Sequence, residues 1–340
     1  MRIQVVTPEQ ESAVTGNEIT ATRYRAILRR LGHRVTVTAA YDGAPCDALV
    51  ALHARRSFPS IQRFAAEQPG RPLIVVLTGT DLYRDIQTDA DAQHALDLAT
   101  RLIVLQRQGL AELPAHVRAK ARVIYQSAPC LRAAVRRPSR HFRVCVVGHL
   151  RPEKDPLRTA LAARALPTAS RIQVVQVGAA LSPEWVERAR GESAQNPRYR
   201  WLGQQPHGKT RRLIASSHLL ALTSRMEGSS NTLCEALAQP TPTPVVATRI
   251  GGLVGTLGDD YPGYFPVEDT TALTRLLWRA ETDAAFYAAL QAGCAHAAPL
   301  VQPERERESW AALLAELPGA ASPPRHARAP RRTAVIAAAR

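Results

Sequence analysis

Two carboxylates with seven residues between them, Glu227 and Glu235, give the first sign of chemistry in this chain. They lie in Ser224–Gly252, SRMEGSSNTLCEALAQPTPTPVVATRIGG. The polar turn Glu227-Gly228-Ser229-Ser230-Asn231 runs into an apolar-periodic helix, Thr232–Gln239. Past a proline-rich break comes a short buried strand, Pro244–Thr248, and then Gly251-Gly252. Ser229 or Ser230 can cap the helix, whose first-turn N–H groups then point out of its end. Such an end favours a phosphate. A carboxylate beside it suits ribose or sugar hydroxyls, because it accepts the hydrogen bonds they donate. The plain alternative is a capped core helix with one exposed acid.

The first half offers a second cluster. His53-Ala54-Arg55-Arg56-Ser57 leaves the end of a strand, Asp47–Leu52. Arg forks onto phosphate, and His moves a proton near neutral pH. His53 and Arg55 together read as an acceptor site, and Arg56 alone as a solvated loop residue. Upstream, strand Arg2–Thr7, helix Asn17–Leu31 and strand Arg34–Thr38 form a β-α-β unit. Gly16-Asn17 stands at that helix start, facing the C-terminal strand ends, where open parallel sheets bind ligands. It is either a contact to donor phosphate or acceptor, or an ordinary cap. Asp89-Ala90-Asp91 mimics a metal-binding D-x-D pair but precedes the helix Ala92–Ala99, where Asp serves as a cap.

These clusters need a scaffold, and 340 residues allow two domains of roughly 100–200 residues each. Aromatics are only 5%, so the cores must be built from Ala, Val and Leu. Strand-like runs recur at Pro72–Thr78, Arg101–Leu105, Arg122–Tyr125, Phe142–Gly148, Ile172–Gly178, Arg198–Leu202 and Leu219–Thr223. Helices are expected at Thr271–Arg279 and Glu304–Leu317. The basic, turn-rich stretch from Pro129 to Pro138 reads as the linker. The expected division is an acceptor domain, 1–138, a donor domain, 139–300, a helix, 301–317, crossing back to the first domain, and a disordered basic tail, 318–340. No apolar run approaches the ~20 residues of a membrane span, and no leader is evident, so a cytoplasmic protein without membrane contact is expected. Cysteines 46, 130, 145, 234 and 294 form no CxxC pair, which suggests free thiols and not a zinc site. The net charge of +15 suits anionic small substrates. The interleaved aromatics of a nucleic-acid platform are missing, so no specific nucleic-acid partner is expected.

The Glu227–Glu235 segment resembles that of retaining GT-B glycosyltransferases of the family 4 type. The resemblance implies two Rossmann-like α/β domains with a cleft between them. Glu227 would face the donor sugar and Glu235 the ribose, with Gly228, Ser229, Ser230, Asn231 and Thr232 around the phosphates. Members of that family carry G-R-L-x-x-x-K where this chain has Gly148-His149-Leu150-Arg151-Pro152-Glu153-Lys154. Lys154 would neutralise the donor diphosphate, and His149 or Arg151 would replace the missing Arg. Fixed cations are needed because a departing UDP gains negative charge and no metal or other cofactor is expected. Gly178 would let a ligand approach the backbone. Where the family often shows His-Gly-Thr-Asp, Thr78 replaces the His, leaving Thr80, Asp81 and Arg84 as cleft candidates.

Longer strings narrow the resemblance. LVALHARRS at Leu49, VLTGTDLYRD at Val76, RVIYQSA at Arg122, GHLRPEKDP at Gly148 and LGDDYPGYFPV at Leu257 are similar to the selenosugar synthases of selenoneine biosynthesis. That family implies transfer of a sugar from UDP-N-acetylglucosamine or a similar UDP-sugar to selenophosphate, releasing UDP and phosphate. His53, Lys154 and Glu227 would be its catalytic residues. Selenium is a good nucleophile without a strong base, which fits the lack of an obvious Asp–His pair. A homodimer is compatible with this reading. The rivals are a conventional family 4 transferase acting on a thiol, hydroxy acid or lipid, a UDP-sugar epimerase, and a charge-driven nucleic-acid binder.

Overall fold

The computed structural model describes residues 1–8, 16–131 and 135–318; the tail from residue 319 and part of the linker lie outside it. β1 (Arg2–Val6), β2 (Arg34–Thr38), β3 (Ala48–Leu52), β4 (Leu73–Leu77), β5 (Arg101–Val104) and β6 (Ala121–Val123) form one sheet in the order β2-β1-β3-β4-β5-β6. β7 (Phe142–Val147), β8 (Ile172–Val177), β9 (Tyr199–Trp201), β10 (Leu219–Leu222), β11 (Val245–Thr248) and β12 (Tyr264–Phe265) form the other, in the order β12-β11-β10-β7-β8-β9. Every pairing is parallel. β3, β4, β10 and β11 are buried along their whole length. Helices cover both faces of such sheets, which is why these strands read as continuous apolar runs and do not alternate.

The strand order reverses between β1 and β3 in the first sheet and between β7 and β10 in the second. A crevice opens beyond the carboxyl ends of the strands at each such point. The two crevices face each other across one cleft. β12 had no counterpart among the sequence-derived strands. It lies in the aromatic segment 259–267, where the buried Tyr261 hydroxyl donates to the Val245 carbonyl (2.5 Å) and accepts from the Val245 N–H (3.2 Å). That hydrogen bonding, invisible in a short aromatic run, fastens the segment to β11.

The helix Pro303–Ala315 returns to the first domain. Trp310, Leu313, Leu314 and Leu317 join the core built around Tyr24, Ile27 and Leu28. The Tyr24 and Trp310 rings meet edge to face, 4.8 Å between centroids. Glu306 on this helix is buried. It accepts hydrogen bonds from Arg23 (3.1 Å), the Ser127 N–H (2.9 Å) and the Ser127 hydroxyl. Arg23 also donates to Asn231 of the second domain, at 3.0 Å.

Replacing Glu306 with Ala leaves the Arg23 guanidinium buried without its counter-charge, and a stability loss of about 3–5 kcal/mol is expected. Urea unfolding followed by circular dichroism measures it. A loss below about 1 kcal/mol would place this pair with ordinary surface ion pairs.

Candidate functional site

On the second-domain wall, the chain leaving β7 is stitched to the chain leaving β10. The Thr223 hydroxyl bonds to the carbonyls of Lys154 and Asp155, 2.9 Å each, and the Arg225 N–H donates to the Glu153 carbonyl at 2.8 Å. The turn Pro152–Lys154 thereby holds the Lys154 ammonium against the Glu227 carboxylate. Glu227 also accepts from the Ser224 hydroxyl at 2.7 Å. His149 accepts the Ala179 N–H on Nδ1 at 3.2 Å, which leaves Nε2 to carry the proton of the neutral ring. Arg151 stands beside Glu153, 3.9 Å away, and its buried Nε has no hydrogen-bond partner among the described residues. A side chain at Gly178 would put Cβ 1.8 Å from the Gly148 carbonyl oxygen, so the close approach of the β7 and β8 exits requires glycine there.

The helix after the Glu227 turn spans Asn231–Leu237, and Ser230, not Ser229, is its cap, accepting the Leu233 N–H at 3.3 Å. Glu235 is buried on this helix. Its carboxylate meets His207 Nε2 at 2.5 Å. His207 opens the helix His207–Ala215 and was not among the residues expected from sequence. The Asn231 side chain turns to the first domain, accepting from Arg23 and donating to the Gly16 carbonyl at 3.4 Å.

The first-domain wall departs from expectation in several places. Arg55 points out of the cleft and pairs with Asp89 at 2.8 Å. Arg84 is half-exposed, pairs with Asp85 at 2.9 Å and does not line the cleft. Asp81 is fully buried. It accepts the N–H groups of Ala54 (3.0 Å), Thr78 (2.9 Å) and Gly79 (2.8 Å), so it builds the loops and does not face a ligand. Arg56, read as a solvated loop residue, lines the cleft instead. The chain turns sharply just before the two arginines, with His53 at φ 72° in the left-handed region. His53 also has carboxylate neighbours after all, with Asp81 and Asp85 each 3.9 Å from a ring nitrogen. Asp89 caps its helix by accepting the Ala92 N–H at 2.9 Å.

The cleft between the walls has a volume of about 680 Å³. Gly16, Asn17, His53, Arg56 and Thr80 line it from one side. His149, Arg151, Lys154, Gly178 and the segment Glu227–Thr232 with Glu235 line it from the other. The domains touch at its floor, where a Cβ on Gly228 would lie 2.4 Å from the Thr78 carbonyl oxygen. Among the described residues no group of three or more His, Cys, Asp or Glu could hold one metal ion. No helix there is long and apolar enough to cross a membrane.

The hydrogen bond to Glu235 raises the His207 pKa above its ordinary 6.5. A raised pKa means the pairing is complete at low pH and lost as pH climbs through the elevated value. In an NMR titration His207 is expected to titrate above 6.5, and in Glu235→Gln to fall back. An identical titration in both proteins would show that this carboxylate does not hold the ring.

Residues 129–292 match the family described as Glycosyl transferases group 1. Anabaena HepE, solved with UDP and glucose, is 16% identical and superposes with a TM-score of 0.74 over 93% of this chain and 100% of its own. The sucrose-phosphate synthase of Thermosynechococcus elongatus gives 15% and 0.74, over 93% of this chain and 98% of its own. An E. coli trehalose-6-phosphate protein bound with UDP-2-fluoro glucose gives 12% and 0.70, over 92% and 98%. No curated protein matches by sequence. This chain therefore has the GT-B fold, and residues 129–292 are similar to the group 1 glycosyl transferases.

Proposed function

We propose that this chain is a selenosugar synthase, transferring the sugar of a UDP-sugar to the selenium of selenophosphate. The observation that carries the transferase part is the crevice between β7 and β10. Lys154, Arg151 and His149 converge there with two acids, Glu227 and Glu235, on a single wall. UDP as leaving group is supported by the bound UDP of HepE and the UDP-sugar analogue of the E. coli protein. Selenophosphate as acceptor rests on the long strings at Leu49, Val76, Arg122, Gly148 and Leu257.

In this reading the diphosphate draws Lys154 from Glu227, and the freed carboxylate accepts hydrogen bonds from sugar hydroxyls. Glu235 holds the ribose. Selenium attacks the anomeric carbon, the bond from that carbon to the diphosphate oxygen breaks, and UDP leaves with the electron pair. Lys154 and Arg151 stabilise the growing charge. Water then cleaves the Se–P bond, giving the 1-selenosugar and phosphate. No metal is required, since the fixed cations serve the leaving group.

The test mixes purified protein with UDP-N-acetylglucosamine and selenophosphate, with thiophosphate, phosphate and no-acceptor controls, and follows products by mass spectrometry. A hexosamine with the selenium isotope pattern is expected only with selenophosphate. UDP release without it would overturn the selenium assignment, and no UDP from any sugar donor would overturn the donor assignment. Lys154→Ala should lower kcat about 10²–10³-fold. Glu235→Gln should raise the donor KM more than it lowers kcat.

A further inference from the structure

We infer that Arg56 and the Thr80 hydroxyl form a receptor for a tetrahedral phosphorus oxyanion on the first-domain wall. The acceptor is then an anionic phosphorus compound and not a neutral sugar or lipid alcohol. This deepens the transferase reading above and rests on it.

The argument begins at His53. The Arg56 backbone N–H donates to His53 Nδ1 at 3.3 Å. A ring nitrogen that accepts cannot carry the proton, so in the neutral ring Nε2 does. Nε2 is 2.9 Å from Thr80 Oγ1 and therefore donates to it. The Thr80 oxygen accepts there, so its own proton is free for another acceptor. Among the described residues no acceptor takes it, and Thr80 lines the cleft. One backbone contact thus polarises a chain of two side chains toward the cavity.

Arg56 supplies the charge. Its neighbours Arg55 and Arg84 are taken by Asp89 and Asp85. Among the described residues no carboxylate pairs with the Arg56 guanidinium, and it lines the same wall as Thr80. A guanidinium fork and a hydroxyl donor together match two or three oxygens of one tetrahedral anion. Two carboxylates stand near His53. Asp81 is committed to three backbone N–H groups. Asp85 pairs with Arg84 through Oδ1. Its buried Oδ2, which has no hydrogen-bond partner among the described residues, lies 3.9 Å from His53 Nε2, beyond hydrogen-bond distance, so the Nε2 proton goes to Thr80 at 2.9 Å.

The experiment is isothermal titration of thiophosphate into full-length protein saturated with UDP, which fills the cationic crevice of the other wall. Arg56→Ala should weaken thiophosphate binding about tenfold or more, and Thr80→Val about three- to tenfold. Arg55→Ala should stay within about twofold, because that side chain already has its partner. UDP affinity should be unchanged in all three, which also reports intact folding. Wild-type protein that binds UDP but not thiophosphate would overturn the receptor. So would Arg56→Ala or Thr80→Val binding as wild type does, or Arg55→Ala losing as much as Arg56→Ala. Failure of the wild type to bind UDP would instead overturn the transferase reading beneath it.

Discussion

One buried carboxylate ties this molecule together. Glu306 sits on the helix that returns from the second domain, and it is enclosed by Arg23, the Ser127 N–H and the Ser127 hydroxyl. Burying a charge costs several kcal/mol unless its lone pairs are used, and here they are used by groups from two further segments. Arg23 spends a second N–H on Asn231, at the entrance to the second-domain helix that carries Glu235. The return helix, the first-domain helix Gly16–Arg30 and the Glu227–Glu235 segment therefore share one hydrogen-bond network. The cleft depends on that network, because its two walls come from sheets that share no strand.

The same constraint explains why the floor of the cleft admits no side chain. Gly228 meets the Thr78 carbonyl backbone to backbone. A larger residue there would push the walls apart and lengthen the distance between the first-domain and second-domain groups. Small residues at this junction set the width of the cleft. The hydrogen bonds around Glu306 and Asn231 set its alignment.

The fold was legible in the sequence because buried parallel strands announce themselves as continuous apolar runs, and β3, β4, β7 and β8 lay within a residue or so of their expected ends. Tyr264–Phe265 was not legible, since a two-residue edge strand is defined by its partner and not by its own pattern. In the cleft, the positions of Glu227 and Glu235 were legible from their spacing and that of Lys154 from the segment resembling G-R-L-x-x-x-K. What escaped depended on geometry that spacing does not encode. His207 reaches Glu235 across 28 positions of chain. The exchange of Arg55 for Arg56 lies beside a left-handed residue, His53, that sequence spacing does not announce. Asp81 looked like a cleft residue because it stands in the segment that resembles the family's His-Gly-Thr-Asp, yet three N–H groups aimed at it make it part of the frame.

Charge in the cleft is arranged as pairs that a ligand can exchange. Lys154 rests on Glu227 and His207 on Glu235, so neither acid confronts an incoming anion as a bare charge. Substitution of one partner by a substrate group costs less than creating a new buried charge, because the protein has already met much of the desolvation cost. The first-domain wall is different. Its Arg56 has no such partner among the described residues, so an anion arriving there brings the first counter-charge that guanidinium meets. The asymmetry gives each wall its own task. The paired wall suits a substrate with both negative phosphates and neutral hydroxyls, since exchange frees a cation for one and a carboxylate for the other. The unpaired wall suits a small anion alone.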